Sequence, residues 1–163
     1  MACTGLYDLI IVGGGPGGMT AGIYAMRAAL KTVLVEMGAP GGQVNLSDAV
    51  ENWPGDEHIG GTELSLKMSR HAQSYGLDIR SDEVVAVEPG LDCHTVRLAD
   101  GACLQGHAVI LATGGNPRKL EVPGEKEFYG RGVSYCAVCD GFFFRNKTVT
   151  VVGGGDSAIE ESL

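Results

Sequence analysis

Two thiols three positions apart carry the most direct chemistry in this sequence. The run Cys136-Ala137-Val138-Cys139-Asp140 can close a disulfide with little backbone movement, and such pairs are the usual apparatus of thiol–disulfide exchange. Two other readings stay open at this point: half of a zinc site completed by Cys93 and Cys103, or a buried inert pair. Nine residues separate Cys93 from Cys103, which is not a recognised zinc spacing, so no metal site is expected. Asp140 reads either as a turn residue, since Asp-Gly is a common turn dipeptide, or as an acid that relays a proton to a departing thiol. A neighbouring carboxylate disfavours a thiolate, so the acid role requires burial that raises the pKa of Asp140 itself.

A second kind of chemistry sits near the N-terminus. Gly13-x-Gly15-x-x-Gly18 follows an apolar run and precedes a helical one, and Glu36 lies 18 residues beyond the last glycine. Gly13 permits a tight turn, Gly15 lets backbone approach a diphosphate, and Gly18 lets helix and strand pack closely. The helix N-terminus offers N–H groups and partial positive charge to phosphates. Glu36 can accept hydrogen bonds from ribose hydroxyls, although an exposed glutamate at a strand end is commonplace. Together these features predict a dinucleotide site. The run Val12-Gly13-Gly14-Gly15 recurs 140 positions later as Val152-Gly153-Gly154-Gly155. The second fingerprint is Gly153-x-Gly155-x-x-Ala158, with Ala in the third place. The repeat predicts two nucleotide-binding cores, the second without its own second strand in this sequence.

These residues need elements to position them. Tyr7 to Val12 reads as a buried parallel strand, and Pro16 to Leu30 as a helix with Met19, Ile23, Met26 and Leu30 on one face. Thr32 to Val35 reads as a second strand ending at Glu36, which completes a βαβ unit. Met37 to Gly61 is glycine-rich and irregular, and a loop of that length is usually functional. Glu63 to Tyr75 suits an amphipathic helix. Val84 to Val87 and Thr95 to Leu98 suit a small antiparallel hairpin or meander. Ala108 to Ala112 suits a buried strand running into the turn Thr113-Gly114-Gly115. Asn116 to Gly124, with two prolines, reads as a linker, and Thr148 to Val152 as an apolar strand opening the second core. The expected organisation is one domain over residues 1–116 and the beginning of another over 117–163.

Composition narrows the class. The 163 residues are 44% hydrophobic and 20% charged, an ordinary globular profile. A net charge of −8 argues against nucleic-acid or anionic-membrane surfaces, which need a clustered basic footprint. No apolar stretch approaches the roughly 20 residues that span a bilayer, and no secretory signal is visible. Of five cysteines, Cys3, Cys93 and Cys103 look scattered. One catalytic pair in a reducing cytoplasm fits better than a secreted disulfide framework. The four histidines lack metal-ligand spacing and are expected mostly at the surface.

Five motifs in register give a family resemblance over the whole chain. Gly13-Gly14-Gly15-Pro16-Gly17-Gly18, Gly41-Gly42-Gln43, Glu51-Asn52-Trp53-Pro54-Gly55, Ala112-Thr113-Gly114 and Cys136-Ala137-Val138-Cys139-Asp140-Gly141 resemble the low-molecular-weight, bacterial-type thioredoxin reductases. The resemblance implies an α/β fold: a Rossmann-like, three-layer ββα FAD-binding domain, then the start of a second Rossmann-like domain for NADPH. It implies FAD with its pyrophosphate on the Gly13–Gly18 turn and its ribose near Glu36. Gly41, Gly42, Gln43 and Asn52 would lie toward the flavin, backbone near Val84 at the adenine, and Ala112 to Gly114 over the nucleotide. It implies Cys139 as the sulfur nearest the flavin, Cys136 as the one that exchanges with thioredoxin, and Asp140 as their acid–base partner. Electrons would run from NADPH through FAD and the Cys136–Cys139 disulfide to thioredoxin or a similar small dithiol protein, in a cytoplasmic enzyme that is typically a homodimer. The chain stops inside the first helix of the second core, so the resemblance also implies truncation. An FAD-binding module without turnover, and a sister reductase serving a peroxiredoxin system, are the competing expectations.

Overall fold

The computed structural model describes residues 3–160 and 162. The chain divides into two compact units, Met1–Gly115 and Asn116–Leu163.

The first unit is built on alternation along its apolar strands. Strands β1 (Thr4–Val12), β2 (Thr32–Glu36), β3 (Asp78–Ser81) and β6 (Cys103–Leu111) run parallel. Strands β4 (Val84–Glu88) and β5 (His94–Leu98) pair antiparallel with each other, and β5 with the first half of β6. The strand order is β3-β2-β1-β6-β5-β4. Successive side chains of a strand point to opposite faces, and both faces here are covered. Leu9, Ile11 and Leu34 pack with Met19, Ala25, Leu64, Met68 and Ala72 of helices α1 (Pro16–Arg27) and α2 (Gly61–Ser74). Ile10, Val33 and Val35 pack instead with Val96, Leu98 and Leu104 of the antiparallel part. The result is the expected meander–sheet–helix layering. Ile10, Ile11 and Leu34 are fully buried, each side chain contributing roughly 1.5–3 kcal/mol by removal from water.

Several expectations need correction. Helix α1 stops at Arg27, not Leu30: Ala28 caps it and Ala29 turns the chain at φ 58°. The buried stripe is Gly18, Met19, Gly22 and Ala25, Ile23 and Met26 pack partly, and Leu30 is exposed. Strand β3 was not anticipated, because a short edge strand with Asp78, Arg80 and Ser81 lacks an apolar pattern. Strand β6 begins five residues earlier than its apolar run, recruited by pairing with β5.

The cysteines also differ from expectation. Cys3 and Cys103 are joined in a disulfide across 100 positions, and Cys93 is free. No local spacing reports a pairing set by the approach of β1 to β6. It also leaves Cys103 unavailable for the zinc set considered above.

In the second unit, Thr148 to Val152 is not a strand. A strand requires a hydrogen-bonding neighbour, and none pairs with this segment among the described residues. Val149, Val151 and Val152 are exposed. Short helices α3 (Ala137–Asp140) and α4 (Asp156–Glu160) flank it in sequence. Among the described residues, no helix is long and apolar enough to cross a membrane.

Candidate functional site: a glycine cradle and a dithiol

The first cluster lies where the parallel strands end. β1 delivers its chain to Gly13, whose φ of 105° is a conformation that side chains rarely adopt. A Cβ on Gly13 would stand 2.3 Å from the Ala112 carbonyl oxygen, so the chain leaving β6 crosses directly over this turn. The crossing is held by Ala112 N–H donating to the Val12 carbonyl at 2.8 Å. A Cβ on Gly18 would stand 1.9 Å from the Gly13 carbonyl oxygen. These two glycines are therefore demanded by the packing of the protein itself.

Gly15 is different. Its φ of −75° and ψ of −176° suit any residue, and nothing lies within 4 Å of a Cβ built on it. It caps the N-terminus of α1 without a side-chain hydrogen bond, and Pro16 occupies the first turn. Internal packing gives no reason for glycine here. A group approaching the first-turn amides from outside does, since those amides lack intrahelical partners and carry the positive end of the helix. The residues present thus fit a diphosphate.

Other expected residues gather at the same place. Glu36 accepts from the Gly14 amide at 2.6 Å and from the Gly38 amide at 2.8 Å. Each carboxylate oxygen keeps a further lone pair for a hydroxyl donor. Gly41 donates to the Gly14 carbonyl at 2.7 Å, and a Cβ on Gly42 would lie 3.4 Å from the Gly15 Cα. The Gly41–Gly42 segment therefore borders the open space. Gln43 follows on a 3-10 turn spanning Gly42–Leu46. Thr113 and Gly114 continue from Ala112. The segment before β4 passes the end of β2, where Asp82 N–H donates to the Glu36 carbonyl at 3.1 Å; this brings Val84 within two residues of that contact. Asn52 stands apart from these contacts on the exposed 51–57 loop, which encloses an open hollow of about 500 Å³.

Two supporting residues escaped sequence reasoning. The Asn45 amide nitrogen donates to the Ala39 and Pro40 carbonyls at 3.3 and 2.9 Å, fixing the loop before Gly41. Buried Ser65 of α2 packs so closely that a Cβ on Gly41 would meet its Oγ at 2.1 Å. Polar loop and helix residues carry no spacing signal, so neither could be singled out.

The second cluster belongs to the second unit. Cys136 and Cys139 are joined as a disulfide, with Cα atoms 5.3 Å apart. Cys136 is the N-cap of α3, and the Cys139 amide donates to Cys136 Sγ at 3.2 Å. A donor at that sulfur favours its thiolate once the pair is reduced. Ser134 Oγ donates to Asp140 Oδ2 at 2.5 Å and accepts from the Cys136 amide at 3.1 Å. Asp140 N–H donates to the Cys136 carbonyl at 3.1 Å. The thiol pair and the acid are thus assembled on one turn, with Ser134 between them.

Buried Glu125 anchors this turn from behind. It accepts from the Leu120 and Glu121 amides at 2.8 and 2.6 Å, and from the Tyr135 hydroxyl at 2.7 Å. The Tyr135 hydroxyl, more than any other partner, holds the Glu125 carboxyl below its usual range. The Glu125 carboxylate in turn pushes the Tyr135 phenol up to about 12. Ser134, Tyr135 and Glu125 were also missed by sequence reasoning, although two of them adjoin the thiol motif. The second glycine fingerprint forms its turn, with a Cβ on Gly153 meeting Ala158 Cβ at 3.1 Å. Gly155 accepts from the Ala158 amide at 3.1 Å, and Gly153 and Gly155 are exposed.

The chain is similar to known proteins over nearly its whole length. Residues 7–163 match the family described as pyridine nucleotide-disulphide oxidoreductase. The chain is 50% identical over 158 residues to thioredoxin reductase of Bacillus subtilis, covering 97% of this chain and 50% of that protein. Its fold is similar to the crystal structure of thioredoxin reductase from Streptococcus pyogenes MGAS5005, with TM-score 0.89, 47% identity, and coverage of 96% of this chain and 51% of that one. It is similar also to thioredoxin reductase from Giardia duodenalis, with TM-score 0.90, 37% identity and the same coverage of each chain. The chain spans about half the length of the relatives it matches. Matched over residues 7–163, nearly its whole length, the chain belongs to the pyridine nucleotide-disulphide oxidoreductase family.

Proposed function

We propose that this chain supplies the FAD cradle and the redox dithiol of a cytoplasmic thioredoxin-disulfide reductase that draws its electrons from NADPH. The observation that carries the reading is the Cys136–Cys139 disulfide with the Cys139 amide aimed at Cys136 Sγ. Residues 1–116 act as the first segment of the FAD domain, and 117–163 as the beginning of the NADPH domain. Gly13, Gly14, Gly15, Pro16 and Gly18 would hold the diphosphate, and Glu36 the ribose. Gly41, Gly42, Gln43 and Asn52 would serve the flavin end, Val84 the adenine, and Ala112, Thr113 and Gly114 the outer face. Gly153, Gly155 and Ala158 would begin the NADPH site. When bound, FAD supplies two-electron exchange between a nicotinamide and a disulfide.

The chain's own residues then perform thiol exchange. Two electrons and two protons convert the Cys136–Cys139 disulfide to a dithiol. The Cys136 thiolate, favoured by the Cys139 amide, attacks one sulfur of the partner's disulfide and forms a mixed disulfide. The Cys139 thiolate attacks Cys136 Sγ, closing the pair again and releasing the partner as a dithiol. Asp140, half-buried and held by Ser134 beside the pair, would give a proton to the departing sulfur. The resemblance to homodimeric thioredoxin reductases supports a dimer as the working assembly, with thioredoxin or a similar small dithiol protein as the substrate.

The test mixes the purified protein with FAD and follows flavin absorbance on adding NADPH, then oxidised thioredoxin. Bleaching by NADPH and recovery with thioredoxin are expected. Bleaching by dithionite alone would favour a cofactor-binding module without turnover. Recovery with a peroxidase adaptor and not with thioredoxin would move the substrate to a peroxiredoxin system.

A further inference from the structure

The first unit holds a second sulfur couple that the proposed reaction does not use. Cys3 immediately precedes β1, and Cys103 opens β6. Their Cα atoms are 4.6 Å apart and their sulfurs are bonded. The two sulfurs differ in access: Cys103 is 4% exposed, whereas Cys3 is only half-buried. Cys93, the remaining thiol of this unit, is free and half-buried.

The bond sits where the β1–β6 ladder is least regular. Thr4 pairs with Leu104, but Leu6 pairs with Gln105, a register shift at Gly5. Beyond it the ladder runs evenly from Leu9↔Ala108 to Val12↔Leu111. β1 ends in the Gly13 turn, and β6 ends in the Ala112 segment that crosses it. Both halves of the cradle therefore hang on these two strands, and the sulfur bond fastens their opposite ends, roughly 26 Å away at about 3.3 Å per residue.

We propose that Cys3 and Cys103 form a second dithiol/disulfide couple, a redox modification site for low-molecular-weight disulfides whose closure locks the β1–β6 register. The Cys3 thiolate, the accessible one, attacks a small disulfide RSSR, forming Cys3–SR and releasing RSH. The Cys103 thiolate then attacks Cys3 Sγ, forming the Cys3–Cys103 bond and releasing a second RSH. One RSSR is reduced to two RSH as two thiols become one disulfide, the two thiol protons passing to the departing RS⁻ groups. In a reducing compartment the couple rests as thiols and closes when small disulfides accumulate. The proposal does not depend on the function assigned to Cys136 and Cys139.

The test equilibrates the full chain in glutathione buffers from reducing to oxidising, quenches with an alkylating reagent and maps the peptides. Thermal unfolding is followed in parallel. A Cys3–Cys103 linked peptide should appear in a transition separable from that of Cys136–Cys139. Its closure should raise the unfolding temperature of the first unit by about 10 °C, as expected for a bond closing a loop of this length. Cys103→Ser, or Cys103→Ala where the hydroxyl is not tolerated, should leave Cys3 carrying glutathione. Cys3→Ser should leave Cys103 unmodified, and Cys93→Ser should change nothing. Oxidised protein that closes Cys136–Cys139 but never Cys3–Cys103 would overturn the proposal. So would glutathione on Cys103 in the Cys3→Ser variant, or closure without a rise in unfolding temperature.

Discussion

Replacing Gly15 by Val separates what the fold needs from what a cofactor needs. Nothing lies within 4 Å of a Cβ at this position, and the backbone is already extended at φ −75°, ψ −176°. The fold loses only the small preference for glycine over valine at a helix N-cap, about 1 kcal/mol. For a domain of this size that is about 2–4 °C in unfolding temperature. The diphosphate loses much more, because the branched side chain fills the space through which it reaches the first-turn amides. Two charge-assisted hydrogen bonds of about 1.5 kcal/mol each make about 3 kcal/mol, or roughly 150-fold in affinity. The assay is FAD fluorescence quenching, with thermal unfolding of the same sample before FAD is added. Gly18→Ala is the counterpart: its Cβ would stand 1.9 Å from the Gly13 carbonyl oxygen, so stability itself should fall, by about 3 kcal/mol or more. FAD affinity unchanged by Gly15→Val, or collapse of the apoprotein, would refute this assignment of the cradle.

Other consequences concern the dithiol. Ser134→Ala removes the donor to Asp140; partner-disulfide reduction should slow about tenfold, with an altered pH profile and unchanged FAD binding, and an unaltered profile would contradict the positioning role. Cys139→Ser should trap the partner on Cys136, seen as a covalent adduct on a non-reducing gel that thiol reductant dissolves. Glu125→Gln should return the Tyr135 phenol from about 12 toward its ordinary 10, measured by phenolate absorbance. In the unmutated protein the Glu125 carboxyl is lowered, so its contribution to stability is present above the ordinary carboxylate range and is lost as pH falls through the depressed value. The raised Tyr135 contributes fully below pH 10 and loses that contribution as pH rises toward about 12. Cleavage of the 120–135 segment by protease should therefore accelerate at both extremes, and a flat profile would count against the Glu125 anchor.

What could be read along the chain was whatever depends on near neighbours. β1, the glycine turn, α1, β2 and Glu36 form one continuous βαβ stretch. Apolar runs, N-cap glycine and strand-end acid lie in fixed local order there, and the structure brings them together. Cys136, Cys139 and Asp140 share a single helical turn for the same reason. Whatever required a distant partner was not legible. β3 exists because β2 offers it a parallel edge, not because its residues are apolar. Thr148 to Val152 has an apolar pattern yet no strand beside it among the described residues, so it does not become one. The Cys3–Cys103 bond joins positions 100 apart, brought together only when β6 docks on β1. Backbone hydrogen bonding and sulfur pairing are satisfied by the nearest available group in space, and chain distance constrains that choice only over a few turns.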